Sequence, residues 1–195
     1  MAGRTRRYDP DRRERLTEAA VRVVAERGVA GLTHRAVAAE AGVPLGSTTY
    51  HFSGRDELLV AALERVTGRW RERLERWLDG MDPARPPAEE LARFVGECVG
   101  PGRERTQLEY ELYVAALRHP AVRPVAARWY AETAELIRRR LPDEATARAV
   151  VALADGLTLQ LLVTGAPFDA EQVSAAFARV LPGGGASSHG GGRTG

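Results

Sequence analysis

The segment Leu45-Gly46-Ser47-Thr48-Thr49-Tyr50-His51-Phe52 gathers hydroxyl side chains, a phenol and an imidazole around one glycine, where a core helix would carry aliphatic residues. Hydroxyl and ring side chains in one short run suit the reading of base edges: Ser47, Thr49, Tyr50 and His51 offer hydrogen bonds, and the rings offer a flat apolar surface for a thymine methyl. Gly46 clears space at the start of the run, and Leu45 stands beside it. Thr48 and Phe52, four residues apart, share the opposite face and point inward. A second group, Glu109, Glu111, His119 and Asp155, has the residue types of a metal site. Its spacing does not fit, because di-metal helical bundles use Glu-x-x-His pairs at i, i+3 and none occurs here. No glycine-rich phosphate loop and no nucleophile elbow is present either. The sequence therefore predicts no catalytic residue, no metal site and no cofactor, and a protein that is not an enzyme.

The elements that would position the Leu45–Phe52 run are legible around it. Leu16, Ala20, Val23 and Val24 recur at helical spacing over Asp11 to Arg27, and Gly28 is placed to end that helix in a left-handed cap. Thr33 can cap a second helix over His34 to Ala41, whose Val37, Ala38 and Ala41 share one face, and Gly42 supplies the next sharp turn. Pro44 or Leu45 to Phe52 is then a short third helix. Ser53, with Asp56 three residues on, has the form of a capping box, and a fourth helix is predicted from there through Trp70, Leu74 and Trp77 to about Met81. Two helices joined by a tight turn and packed on a first describe a helix-turn-helix, whose second element enters the major groove. The N-termini of the second and fourth helices present free N–H groups to phosphates, with Thr33, Arg35 and Arg55 beside them.

Thr33 to Leu59 resembles the TetR family of bacterial one-component transcriptional repressors. The resemblance lies in a "T-x-x-x-[IV]-A-x-x-A-G-V" run, a "Y-x-[HY]-F" run and the start of the fourth helix, and it extends over about Asp11 to Leu63. It implies an all-α homodimer with an N-terminal DNA-binding domain of three helices, a connecting fourth helix and a C-terminal domain that binds a small effector. It also implies that Tyr50 and His51 touch DNA, that Arg55 replaces a phosphate-contacting lysine, and that Thr33 reaches a phosphate while capping its helix. Two positions depart from the family pattern: Thr49 stands where a tyrosine is usual, and Leu45 where a basic residue is frequent.

The rest of the chain is read in the same terms. Its 195 residues, 44% hydrophobic and 28% charged, have an ordinary globular composition. The formal charge is only +2, but Arg4, Arg6, Arg7, Arg12, Arg13 and Arg15 cluster at the N-terminus, as an anionic partner would favour. Cys98 is the only cysteine, which excludes an intrachain disulfide and fits a reducing cytoplasm. The N-terminus has charge but no apolar h-region behind it, and the most apolar stretch, Ala149 to Ala166, carries Asp155 and Gln160 in its interior, so no export signal or membrane span is expected. Four segments are predicted: a disordered arm over 1–9, the helix-turn-helix domain over 10–55, a ligand-binding and dimerisation domain over 56–182, and a disordered glycine-rich tail over 183–195. Helices are expected at about Ala88 to Val99, Arg105 to Leu117, Ala121 to Leu141, Thr146 to Thr164 and Ala170 to Leu181. The last two are apolar on more than one face, which a partner subunit would cover, with Gly156, Leu157, Leu161, Phe168, Phe177 and Leu181 as contacts. Trp70, Phe94, Cys98, Tyr110, Tyr113, Trp129, Thr133 and Gln160 fall on predicted inward faces and are the candidate effector contacts.

Taken together, the expected function is that of a DNA-binding regulator, a repressor released from a palindromic double-stranded operator by a small-molecule effector. The alternatives are an architectural DNA binder without effector, which would need only the first domain, and a helical-bundle metalloenzyme.

Overall fold

The protein is described here by a computed structural model over residues 11–182. The predicted arm over 1–9 and tail over 183–195 lie outside the described residues. Among the described residues there are nine α-helices and no strand: α1 (Arg12–Arg27), α2 (His34–Glu40), α3 (Leu45–His51), α4 (Arg55–Asp79), α5 (Pro87–Val99), α6 (Arg103–Val114), α7 (Arg123–Arg138), α8 (Glu144–Thr164) and α9 (Ala170–Val180). The all-α expectation holds. The helices form two compact units, one reaching Arg71 and including Leu108–Trp129, the other comprising Glu72–Gln107 and the chain from Tyr130 onward. Three helices, α4, α6 and α7, run from one unit into the other.

The core of the first unit is built where periodicity placed it: Leu16, Ala20, Val23 and Val24 of α1 are fully buried, with Val37 of α2 and Phe52 after α3. Local chemistry sets the boundaries. The Thr33 hydroxyl accepts from Ala36 N–H at 3.1 Å and starts α2. Gly42, at φ +63°, makes the turn after it, and Val43 N–H donates back to the Ala38 carbonyl at 3.0 Å. Gly28 has the expected positive φ of 70°, but its ψ of 172° is extended rather than left-handed helical, so the chain leaves α1 directly into a 3-10 turn over Val29–Gly31. At α4 the expected partner of Ser53 changes. The helix starts at Arg55, which makes Glu57 its third residue, and both the N–H and the hydroxyl of Ser53 donate to Glu57 Oε2, at 2.7 and 3.0 Å. Asp56 is one residue too early to reach back.

The first and fourth helices are also tied by charge. Arg65 bonds Glu14 and lies 2.6 Å from Glu18, and Arg69 reaches the same Glu18 at 2.6 Å. These pairs are partly exposed and each contributes only a few tenths to ~1 kcal/mol, but together they fix the rotation of α1 on α4.

In the second unit, α5 packs against α8 and α9. Asp143 caps α8 by accepting from the N–H and the hydroxyl of Thr146, each at 2.8 Å, and Gly165 ends the helix in a left-handed conformation at φ 67°, ψ 14°. The predicted helix over Arg105 to Leu117 instead starts at Arg103 and stops at Val114, continuing as 3-10 turns over Ala115–Leu117 and Pro120–Val122. Pro120 lacks the N–H that a continuous helix would need, so α7 begins only at Arg123.

Candidate nucleic-acid interface and effector-site residues

α3 is amphipathic in an unusual sense: one face is anchored in the core and the other leaves Tyr50 and Leu45 in solvent. Thr48 is fully buried and its hydroxyl donates to the Leu45 carbonyl at 2.7 Å, so the one polar group driven into the core is satisfied on its own helix. Phe52 is 1% exposed, and the Arg13 guanidinium stacks over its ring at 4.8 Å. On the outer face Tyr50 is 81% exposed and Leu45 45% exposed. The Tyr50 ring meets that of the half-buried His51 edge-on at 5.1 Å in the C-terminal half of the helix. Among the described residues nothing outside the backbone of α3 itself lies within 4 Å of where a Cβ on Gly46 would stand, so their packing does not demand glycine there.

The remaining interface candidates have defined partners. Ser47 Oγ accepts from Arg12 Nη1 at 3.2 Å, which brings a guanidinium from α1 to the N-terminal half of α3. The Thr49 hydroxyl turns back to the Gly46 carbonyl at 3.3 Å. Arg35 is exposed on α2. Arg55 does something sequence reasoning did not anticipate: its Nη2 donates to the Val29 carbonyl at 2.7 Å. Arg12 was likewise missed as a neighbour of α3, since α1 residues have no periodic signature of contact with a helix 35 positions away.

The eight effector candidates are divided between the two units. In the first, Trp129 stands edge-on to Tyr113 at 5.3 Å and to Trp70 at 5.9 Å, so α4, α6 and α7 contribute one aromatic cluster, and Tyr110 is half-buried on α6. In the second, Phe94, Cys98 and Thr133 are buried, and Phe94 tilts against Trp77 at 4.7 Å. Trp77 is a residue the sequence reading left out of this group; its indole Nε1 is buried and has no hydrogen-bond partner among the described residues. Gln160 is a correction. It was expected on an inward face and is exposed, because the inward line of α8 runs through Val150, Val151, Thr158 and Leu162. A cleft of about 360 Å³ in the second unit is lined by Glu75, Leu78, Asp79, Leu136, Arg139 and Arg140. It is open and mostly charged, with Arg140 paired to Asp79 at 3.5 Å, unlike the apolar cavities that hold drug-sized ligands.

The proposed self-association residues also separate. Phe177 is fully buried in its own protomer, where α9 packs on α5, and cannot contact a partner; this corrects its expected role. Phe168 is 37% exposed, with its ring against α5 where a Cβ on Gly96 would lie 2.8 Å from it. Gly156, Leu157, Leu161 and Leu181 are half-buried. Leu159 at 40% and Val163 at 77% exposure belong to the same outer surface of α8 and were missed. α8 is long and apolar enough to cross a membrane, at mean hydropathy 1.4, with only 28% of its apolar window buried.

Residues 16–62 match the family described as "Bacterial regulatory proteins, tetR family", and residues 82–183 match "Tetracyclin repressor-like, C-terminal domain". The chain belongs to the TetR family of transcriptional regulators. Its structure is similar to that of the multidrug binding protein EbrR in complex with imidazole, with a TM-score of 0.78 and 49% identity, covering 89% of this chain and 97% of that one. EbrR has also been crystallised with ethidium, proflavin and malachite green. Among curated relatives, the transcriptional regulator PksA of Bacillus subtilis (strain 168) is 31% identical over 78% of this chain and 79% of its own length. The nicotine-responsive transcriptional repressor HdnoR of Paenarthrobacter nicotinovorans is 26% identical over 77% and 83%. The TetR-family chain described here is thus a DNA-binding regulator whose relatives are regulators rather than enzymes.

Proposed function

We propose that the protein is a homodimeric repressor of neighbouring genes that holds a palindromic operator through α3 and releases it when a flat, largely apolar small molecule binds. The observation that carries this is the outer face of α3: a helix anchored by Thr48 and Phe52 that leaves Tyr50 and Leu45 in solvent has the form of a reading head. Thr33, Arg35, Leu45, Gly46, Ser47, Thr49, Tyr50, His51 and Arg55 form the DNA face in this reading. A dimer follows from the exposed apolar surface of α8 around Gly156, Leu159 and Val163, which a second copy would cover. That covering accounts for the hydropathy of α8 without a bilayer and is compatible with work at DNA in the cytoplasm.

The effector class is supported by the aromatic cluster of Trp70, Tyr113 and Trp129. It is also supported by similarity to EbrR, which takes planar aromatic dyes. Two reading heads must sit about 34 to 36 Å apart to enter successive major grooves on one face of a duplex. α4 starts beside α3 and runs 25 residues, so a ligand that tilts it changes that spacing. The ligand acts only in so far as it binds the DNA-free shape more tightly, with coupling on the order of 1 to 3 kcal/mol. The test is to select a duplex with the wild-type protein from a random-sequence library, then titrate it with and without proflavin. Weaker duplex binding in proflavin is expected. Proflavin that binds the protein and leaves duplex affinity unchanged defeats the release mechanism and favours an effector-independent DNA binder.

A further inference from the structure

Val29 opens the 3-10 turn between α1 and α2, and the first N–H groups of any helical turn lack partners within it. The capping position is Gly28, which has no side chain to supply one. Glu111 on α6 does so from 82 residues away: Val29 N–H donates to Glu111 Oε1 at 2.7 Å. The carbonyl of the same residue accepts from Arg55 Nη2, also at 2.7 Å, at the first residue of α4. Residue 29 is thus held on both sides of its backbone, by α6 on the N–H and by α4 on the carbonyl. Gly28 makes the approach possible. A Cβ there would stand 3.0 Å from the same Oε1, and its φ of +70° is one that other residues adopt at a strain.

The held corner leads straight into the reading head. Leu32, three residues on, is fully buried, and Thr33 then caps α2. α2 and α3 are joined by the tight turn at Gly42 and packed on each other, with the Thr48 hydroxyl 3.5 Å from the His34 carbonyl. On α6, two residues beyond Glu111, Tyr113 meets Trp129, which meets Trp70 of α4. α6 is therefore linked to α4 through the Trp129 ring of α7 at one place and meets the α1–α2 corner through a carboxylate at another.

We propose that Glu111 is a positioning residue for DNA binding: through Val29 N–H, and against Arg55 on the carbonyl, it fixes the angle at which α6 lets the α2–α3 pair meet the duplex. The inference rests on the reading of α3 as the groove-entering helix. A carboxylate on an exposed helix face is usually only solvated, and its loss costs little because water replaces it. This one instead caps a backbone N–H, so its removal frees a corner rather than a side chain.

The experiment uses the full chain and the duplex selected by the wild-type protein. Glu111→Ala and Glu111→Gln are compared in three measurements: hydrogen exchange of the Val29 amide, affinity for the selected duplex, and thermal melting. For Glu111→Ala we expect faster Val29 exchange and a roughly three- to tenfold loss of duplex affinity, the size of one ordinary hydrogen bond, with a lowered melting transition that still lies well above the temperature of the titration. Glu111→Gln, whose side-chain carbonyl still accepts, restores both exchange protection and affinity. The proposal is overturned by unchanged Val29 exchange, by unchanged duplex affinity in the alanine variant, or by a glutamine variant no better than alanine. It is equally overturned if the melting transition falls to the temperature of the titration, so that affinity is lost by unfolding, which would make Glu111 a plain stabilising residue. Failure of the wild-type protein to select any duplex is a different result, since it removes the DNA-binding reading itself while the exchange comparison, which needs no DNA, still reports on the contact.

Discussion

Tyr50 shows how a single side chain can be read for function from what it does not do. At 81% exposure it contributes almost nothing to the core, and its ring meets that of the adjacent His51. Tyr50→Ala is therefore expected to leave melting within about 0.5 kcal/mol of wild type, as for other surface substitutions, while weakening the selected duplex by roughly 1 to 3 kcal/mol if the phenol reads a base. Titrations on selected and scrambled duplexes decide it: equal losses on both would take Tyr50 out of base readout. Arg55 is less simple. It already donates to the Val29 carbonyl, so Arg55→Ala removes a phosphate candidate and half of the grip on the α1–α2 corner at once. A double-mutant comparison with Glu111→Ala separates the two effects.

At the scale of elements, two helix starts depend on an ionised carboxylate. The Glu57 carboxyl is held below its ordinary value of 4.5, first by the Ser53 N–H, then by the Ser53 hydroxyl and Arg13. The Asp143 carboxyl is held below 3.8 by the Thr146 N–H and hydroxyl, with Ala145 N–H adding to it. A depressed folded-state pKa means the contribution is fully present above the unfolded value and is lost as pH falls through the folded one. The starts of α4 and α8 are therefore expected to fray on acidification below about pH 4.5 and pH 3.8 respectively. Amide exchange at Arg55–Leu58 and at Glu144–Ala147 follows the two separately. Glu57→Gln should abolish the acid dependence at α4 and leave that of α8 in place; persistence at α4 would show that another group titrates there.

For the whole molecule the question is what covers α8. Among the described residues nothing outside the backbone of α8 itself lies within 4 Å of where a Cβ on Gly156 would stand, so a larger side chain there is compatible with their packing. It would even gain about 1 kcal/mol of helix propensity over glycine. Gly156→Arg is thus expected to stay folded while driving a charge into the face that a second copy would occupy. Light scattering at micromolar concentration should show a dimer for wild type and a monomer for the variant. A wild-type monomer, or a variant that still dimerises, would move the interface away from this face.

What the sequence determined by itself was local. The cap at Thr33, the glycine turn at Gly42 and the i, i+4 pair of Thr48 and Phe52 act over a few residues, so their geometry follows from residue type, and the helix-turn-helix and its family were legible from them. The apolar period of α1 was equally decisive, because each of its four core residues had only one face on which to fall. Tertiary structure decided wherever periodicity left a choice of partner. α8 is apolar on more than one side, so sequence could not say that Gln160 points out, or that Leu159 and Val163 do. Phe177 looked like an interface residue until the packing of α9 on α5 and α8 was seen to leave it fully buried in the protomer. The bond from Val29 to Glu111 joins residues 82 positions apart, a contact that no local pattern encodes and that exists only because α6 is folded against the α1–α2 corner.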